Sequence, residues 1–160
     1  MSKLTNVTAN FYDEYPFPRL SRKKILSSSK KINDALIKMG FPKQKLNRPI
    51  TVLDAGCGTG SFALSFGHAN PNSKVIAFNI SGASLKYAEN QAKSLKIKNI
   101  QFINADIFNL PNAVTSVKYD LVWSRGVLHC THDPKLALEI ISRLVKPKNF
   151  MVIGLYHKGR

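Results

Sequence analysis

Val52-Leu53-Asp54-Ala55-Gly56-Cys57-Gly58-Thr59-Gly60 is the stretch of this chain most suited to chemistry: an apolar strand runs through an acidic residue into three glycines at alternate positions. Glycine lacks the Cβ that keeps a backbone off a ligand, and it reaches positive φ without steric cost. Gly56, Gly58 and Gly60 therefore predict a tight strand-to-helix loop that a nucleotide-like molecule can approach closely. Asp54, at the end of the strand, suits a cationic ligand group better than a diphosphate. Dinucleotide folds use G-x-G-x-x-G with the pyrophosphate on the helix N-terminus. Here the third glycine comes one residue early, and Ser61 stands where that fingerprint wants glycine.

Other chemical groups are sparse. The two cysteines, Cys57 and Cys130, have no partners at metal-ligand spacing, so neither a metal site nor a disulfide framework is indicated. Cys130 follows His129, and adjacent residues on an extended segment point to opposite faces, which argues against a Cys-His nucleophile. The imidazole of His129 is a weak candidate for a base that deprotonates a substrate. A histidine bonding locally under a helix start has the same sequence signature.

At 160 residues with 44% apolar composition the chain can bury one real core. No uncharged apolar run approaches the ~20 residues needed to span a bilayer. MSKLTNVTAN has no apolar signal core, so the cytoplasm is the default address. The formal net charge of +15 invites an RNA partner. Lysines far outnumber arginines and are spread along the whole chain, which equally fits a basic solvated surface.

Elements that position the glycine loop are legible in the periodicity. Residues 1–20 read as irregular, with Pro16 and Pro18 on either side of Phe17. From Ser21 to about Gly40, Ile25, Ile32, Ala35, Leu36 and Met39 recur at helical spacing, and a polar linker follows to Arg48. Strand and helix signals then alternate, the signature of a parallel sheet. Strands are expected at about 50–54, 74–79, 100–104, 120–123 and 150–156. Helices begin at the glycine loop, at Ser81, and at Thr131 or Asp133, the last with Leu136, Ile140, Ile141 and Leu144 facing the sheet. In such a sheet the ligand lies outside the carboxyl ends of the strands.

The nine-residue string resembles motif I of the class I S-adenosylmethionine-dependent methyltransferases, and three later segments follow in the family's order. The resemblance implies that Asp54, Ala55, Gly56, Cys57, Gly58 and Gly60 hold S-adenosylmethionine. Phe78-Asn79-Ile80-Ser81 is similar to the segment whose acidic residue accepts hydrogen bonds from both ribose hydroxyls. With Asn79 there, each bond falls from about 1.5–3 to about 0.5–1.5 kcal/mol. Asp106 and Ile107 match the pair that meets the adenine amino group and packs on its ring. Asp120-Leu121-Val122-Trp123-Ser124 and Val127-Leu128-His129 resemble the fourth motif region, placing Ser124 and Arg125 near the methionine part of the cofactor. Leu144-Val145-Lys146-Pro147-Lys148-Asn149 resembles a Leu-Lys-Pro-Gly-Gly turn, in which Asn149 would tolerate a left-handed φ. Tyr12 to Arg19 is similar to a Tyr-x-x-x-Pro-Tyr-Pro segment of some bacterial members. Its rings would lid the cofactor, or pack on the core as a hydrophobic strap.

The implied fold is α/β: a Rossmann-like parallel sheet of about five strands with helices on both faces, plus an N-terminal helix. One domain spans 1–160, with a strap and basic helix over 1–48 and the cofactor-binding core over 49–160. It lacks the family's final antiparallel hairpin, leaving strand five an open edge for a second copy or another chain to cover. The implied activity is methyl transfer to an unidentified acceptor, a small molecule favoured over RNA. The alternative is a truncated, catalytically silent protein that binds cofactor or works through partner contacts.

Overall fold

A strand covered by helices on both faces must be apolar on both, and the buried runs at residues 52–55, 75–78 and 119–124 largely are. The computed structural model describes residues 3–156. Three helices, α1 (Lys3–Glu14), α2 (Arg22–Lys38) and α3 (Lys43–Leu46), precede the sheet. Then follow β1 (Thr51–Ala55), α4 (Ser61–Ala69), β2 (Lys74–Asn79), α5 (Gly82–Ser94), β3 (Ile100–Asn104), α6 (Asn112–Thr115), β4 (Tyr119–Arg125), a short 3-10 turn (Leu128–Cys130), α7 (Pro134–Ser142) and β5 (Val145–Gly154). All five strands pair in parallel in the order β3-β2-β1-β4-β5. Val52, Leu121 and Trp123 pack with Phe62, Leu85 and Leu36 on one face, while Leu53, Phe78 and Val122 pack with Ala137 and Ile141 on the other. This is the expected α/β architecture.

Asp120 ties the sheet together near the start of β4. Its Oδ2 accepts from the Thr51 backbone N–H at 2.9 Å and from Lys146 Nζ at 2.8 Å, joining β1, β4 and β5.

The structure corrects several boundaries. Residues 3–14 are helical rather than irregular, because both prolines lie after that stretch and α1 finds a partner in α5. The linker to Arg48 contains α3. Met39 caps α2 and is exposed, and Leu136 is exposed on α7, where Ala137 turns inward beside the expected Ile141 and Leu144. β4 runs on to Arg125 because Ser124 pairs with Ile153 and Arg125 with Gly154.

β5 begins at Val145 and ends at Gly154 rather than Tyr156. Its register jumps: Tyr119 faces Val145, but Leu121 faces Phe150. The turn residues Lys146 to Asn149 are thus an irregularity inside the strand. Lys148, not Asn149, takes the left-handed conformation, with φ 58°. A Cβ in that region costs about 1–2 kcal/mol. Lys148→Gly is expected to gain about 1 kcal/mol net of the added chain entropy, read as a higher urea midpoint at unchanged m-value.

Candidate functional site

Strand order reverses between β1 and β4, so the loops leaving these two strands diverge and open a crevice at the carboxyl edge of the sheet. The glycine loop forms one wall. Backbone N–H groups of Gly56 and Cys57 both donate to Phe78 O at 2.9 Å, anchoring the loop to the end of β2. A Cβ on Gly56, which has φ 77°, would stand 2.4 Å from Val127 Cγ2, so only glycine lets the two loops meet. Asp54 braces the loop from beneath, its Oδ2 accepting from Ala63 N–H at 3.0 Å in the first turn of α4. Burial pushes the Asp54 carboxyl up to about 7, against the pull of that hydrogen bond.

The crevice is a cavity of about 340 Å³, within the ~300–1,000 Å³ of small-molecule sites. Asp54, Gly56, Cys57, Gly58, Asn79, Ile80, Asp106, Ile107 and Arg125 all line it, gathered from the ends of four strands. Asp106 Oδ1 accepts from Phe108 N–H at 3.1 Å, which fixes the carboxylate at the rim beyond β3. Three expected residues do not line it. Ala55 is fully buried in β1, Gly60 is the N-cap of α4, and Ser124 is buried with no hydrogen-bond partner for its Oγ. His129 also stands off the cavity, its ring edge-on to Tyr156 at 5.0 Å between centroids.

Residues 8–18 form a roof over the crevice, and Thr8, Tyr12, Phe17 and Pro18 line it. Thr59 Oγ1 donates to Pro18 O, pinning this strap to the glycine loop. Asp13 Oδ1 accepts from Ser81 Oγ at 2.7 Å and Ala83 N–H at 3.0 Å, so α1 caps the N-terminus of α5. Ser81 Oγ in turn accepts from Ser84 N–H at 3.0 Å, as an N-cap serine does.

Several lining residues carry weak or no sequence signal. Phe62 and Trp123 stack in parallel at 4.2 Å beneath the loop, yet each reads in the sequence only as a core aromatic. Val127, Cys130 and Thr131 follow β4 and are found by the rule that ligands lie beyond strand ends. Thr8 has no sequence signal, because its helix is recognisable only from its packing. Among the described residues no group of three His, Cys, Asp or Glu side chains could hold a metal ion, and no helix is long and apolar enough to cross a membrane.

The sequence profile of the methyltransferase domain family matches residues 46–158, and the chain belongs to that family, the class I S-adenosylmethionine-dependent methyltransferases of Rossmann-like fold. It is 35% identical over 111 residues to the malonyl-[acyl-carrier protein] O-methyltransferase of Methylovorus sp. (strain MP688), covering 66% of this chain and 36% of that protein. It is 38% identical over 82 residues to the release factor glutamine methyltransferase of Enterococcus faecalis (strain ATCC 700802 / V583), covering 51% and 28%. In fold it is similar to coclaurine N-methyltransferase bound to N-methylheliamine and SAH, with a TM-score of 0.63 at 20% identity over 78% of this chain and 34% of that one. The chain spans roughly a quarter to two fifths of the length of the curated relatives it matches.

Proposed function

We propose that this chain binds S-adenosylmethionine and transfers its methyl group to a small-molecule acceptor, favoured over RNA. The observation that carries this reading is the convergence, on one cavity, of a positive-φ glycine loop with side chains from the ends of β2, β3 and β4. The residues fit the cofactor. Gly56 and Gly58 line the cavity with backbone at positive φ and no side chain, and Asp54 places a buried carboxyl, readily ionised by a neighbouring cation, at a cavity suited to a ligand that is cationic at its sulfonium and amino groups. Asn79 stands where ribose hydroxyls need an acceptor, Asp106 where an exocyclic amine needs one, and Ile80 and Ile107 supply apolar walls. Ala55 and Gly60 shape the loop's backbone from outside the cavity. Ser124 is buried in β4 and does not reach the cavity, whereas Arg125 lines it at the strand's end, on the side left for the acceptor.

The cofactor brings a methyl group already activated by a positively charged leaving group, so the protein's task is alignment and exclusion of water. The strap of residues 8–18 and the stacked Phe62 and Trp123 perform the second task. Relatives carry names that imply different acceptors, which leaves the acceptor to be argued from this chain's own cavity.

Calorimetric titration with S-adenosylhomocysteine and NAD tests the reading. Heat with the first and none with the second is the expected result; no heat with either would sink it and favour the silent alternative. Asn79→Asp restores a charged acceptor for the ribose hydroxyls. It is expected to tighten S-adenosylhomocysteine about 5-fold or more in the same titration, the value of adding charge to hydrogen bonds.

A further inference from the structure

The cavity divides along the strand order. Residues fitted to the cofactor come from β1, β2 and β3, while the remaining wall is built from the ends of β4 and β5, the 3-10 turn and α1. Arg125 belongs to that second half. It pairs with Gly154 of β5, and its stem lies against that residue so closely that a Cβ on Gly154 would stand 2.4 Å from Arg125 Cγ. The charged side chains lining the cavity among the described residues are Asp54, Asp106 and Arg125. Both aspartates accept backbone N–H groups in the cofactor half, and no carboxylate pairs with Arg125 among the described residues. Among the described residues the second half therefore presents one cation without a carboxylate partner, the exposed Arg125, on a wall shared with Tyr12, Cys130, Thr131 and Tyr156.

That half also lacks a ready base. The Tyr12 phenol is pushed up by burial, and further by the nearby Cys130 and Tyr156; the Cys130 thiol is pushed up by burial. Both keep their protons at neutral pH. His129 does not line the cavity. An alcohol or thiol acceptor would need its proton removed, and an ammonium would be repelled by the guanidinium as well. A carboxylic acid needs neither service, because it is ionised at neutral pH and its charge is the one Arg125 complements.

We propose that the acceptor is a small carboxylate, held by the Arg125 guanidinium and methylated on oxygen. This rests on the methyl-transfer reading above. The balance is simple: a carboxylate lone pair makes the new oxygen–carbon bond, the carbon–sulfur pair leaves with sulfur, and no proton is released. The protein's net charge of +15 favours encounter with such anions.

The test uses the full chain saturated with S-adenosylhomocysteine and three probes that share a phenyl body: phenylacetate, phenylacetamide and phenethylamine. Ligand-observed NMR titration is expected to show phenylacetate binding about tenfold or more tighter than either of the others. Arg125→Gln should erase that preference, Arg125→Lys should keep part of it, and both should bind S-adenosylhomocysteine within about twofold of the parent chain. Equal binding of the three probes, preference for the amine, or no binding of any would overturn the proposal. So would a loss of about tenfold in S-adenosylhomocysteine affinity in Arg125→Gln, which would put the guanidinium on the cofactor's own carboxylate. Failure of the parent chain to bind S-adenosylhomocysteine would instead defeat the methyl-transfer reading.

Discussion

Gly58→Arg is expected to weaken S-adenosylhomocysteine binding by about 100-fold or more, beyond calorimetric detection at high micromolar ligand, while the far-ultraviolet circular dichroism of the folded chain survives. Two effects act together. Gly58 holds φ 54°, and its Cβ would stand 3.1 Å from Phe17 O, so any side chain there strains the loop and presses on the strap. The strain alone costs about 1–2 kcal/mol of stability. The larger loss is steric, since a long side chain rooted on the cavity wall occupies the space in which a ligand must lie. Gly82→Ala is the matched control. Gly82 opens α5, its Cβ would meet nothing within 4 Å, and binding should be unchanged. Undiminished binding in Gly58→Arg would remove the glycine loop from the site.

Asp54 gives the second large effect, and it is read in stability as a function of pH. Its folded pKa, about 7, lies above the ordinary 3.8 of an aspartic acid because burial disfavours the charged form. Between those two values the native chain holds a proton that the unfolded chain has released. Unfolding stability therefore falls as pH rises from about 4 to about 7 and levels off above it, by on the order of 4 kcal/mol from this group alone. Asp54→Asn keeps an oxygen acceptor for Ala63 N–H and removes the titration. The difference in stability between parent and variant is expected to grow over that window, with the variant the more stable near pH 8, as measured by urea unfolding at a series of pH values. A flat difference would mean that Asp54 stays ionised throughout.

The same residue separates stability from function. A cationic ligand beside Asp54 favours the ionised form, so cofactor binding near neutrality should release a fraction of a proton, and Asp54→Asn should both weaken binding and abolish that release.

Much of this was legible before any coordinates. The glycines of residues 56–60 mark a tight strand-to-helix loop, and the alternation of strand and helix signals after Ile50 admits few topologies. Both readings depend on local properties, namely backbone freedom and hydrophobic period. The β2 and β3 ends were equally clear, since a strand followed by a polar residue at a parallel sheet's carboxyl edge is where a ligand must be met.

Residues 3–14 show where such reasoning stops. Their helix exists because α1 packs on α5 and Asp13 caps its partner's first turn, a contact between positions about 70 residues apart that no local pattern encodes. Likewise, Lys148 adopts left-handed backbone because the register jump between β4 and β5 demands it there, although Asn149 is the better residue for the task.

By itself, then, the sequence determined the α/β class, the family and the identity of the glycine loop that walls the cavity, because each follows from residue type and spacing along the chain. Only the tertiary structure decided which of those residues face the cavity, that the N-terminal helix roofs it, and that Arg125 is the one cation lining it among the described residues. Those outcomes depend on side-chain direction and on the charges brought near from distant segments, which are properties of the packed molecule.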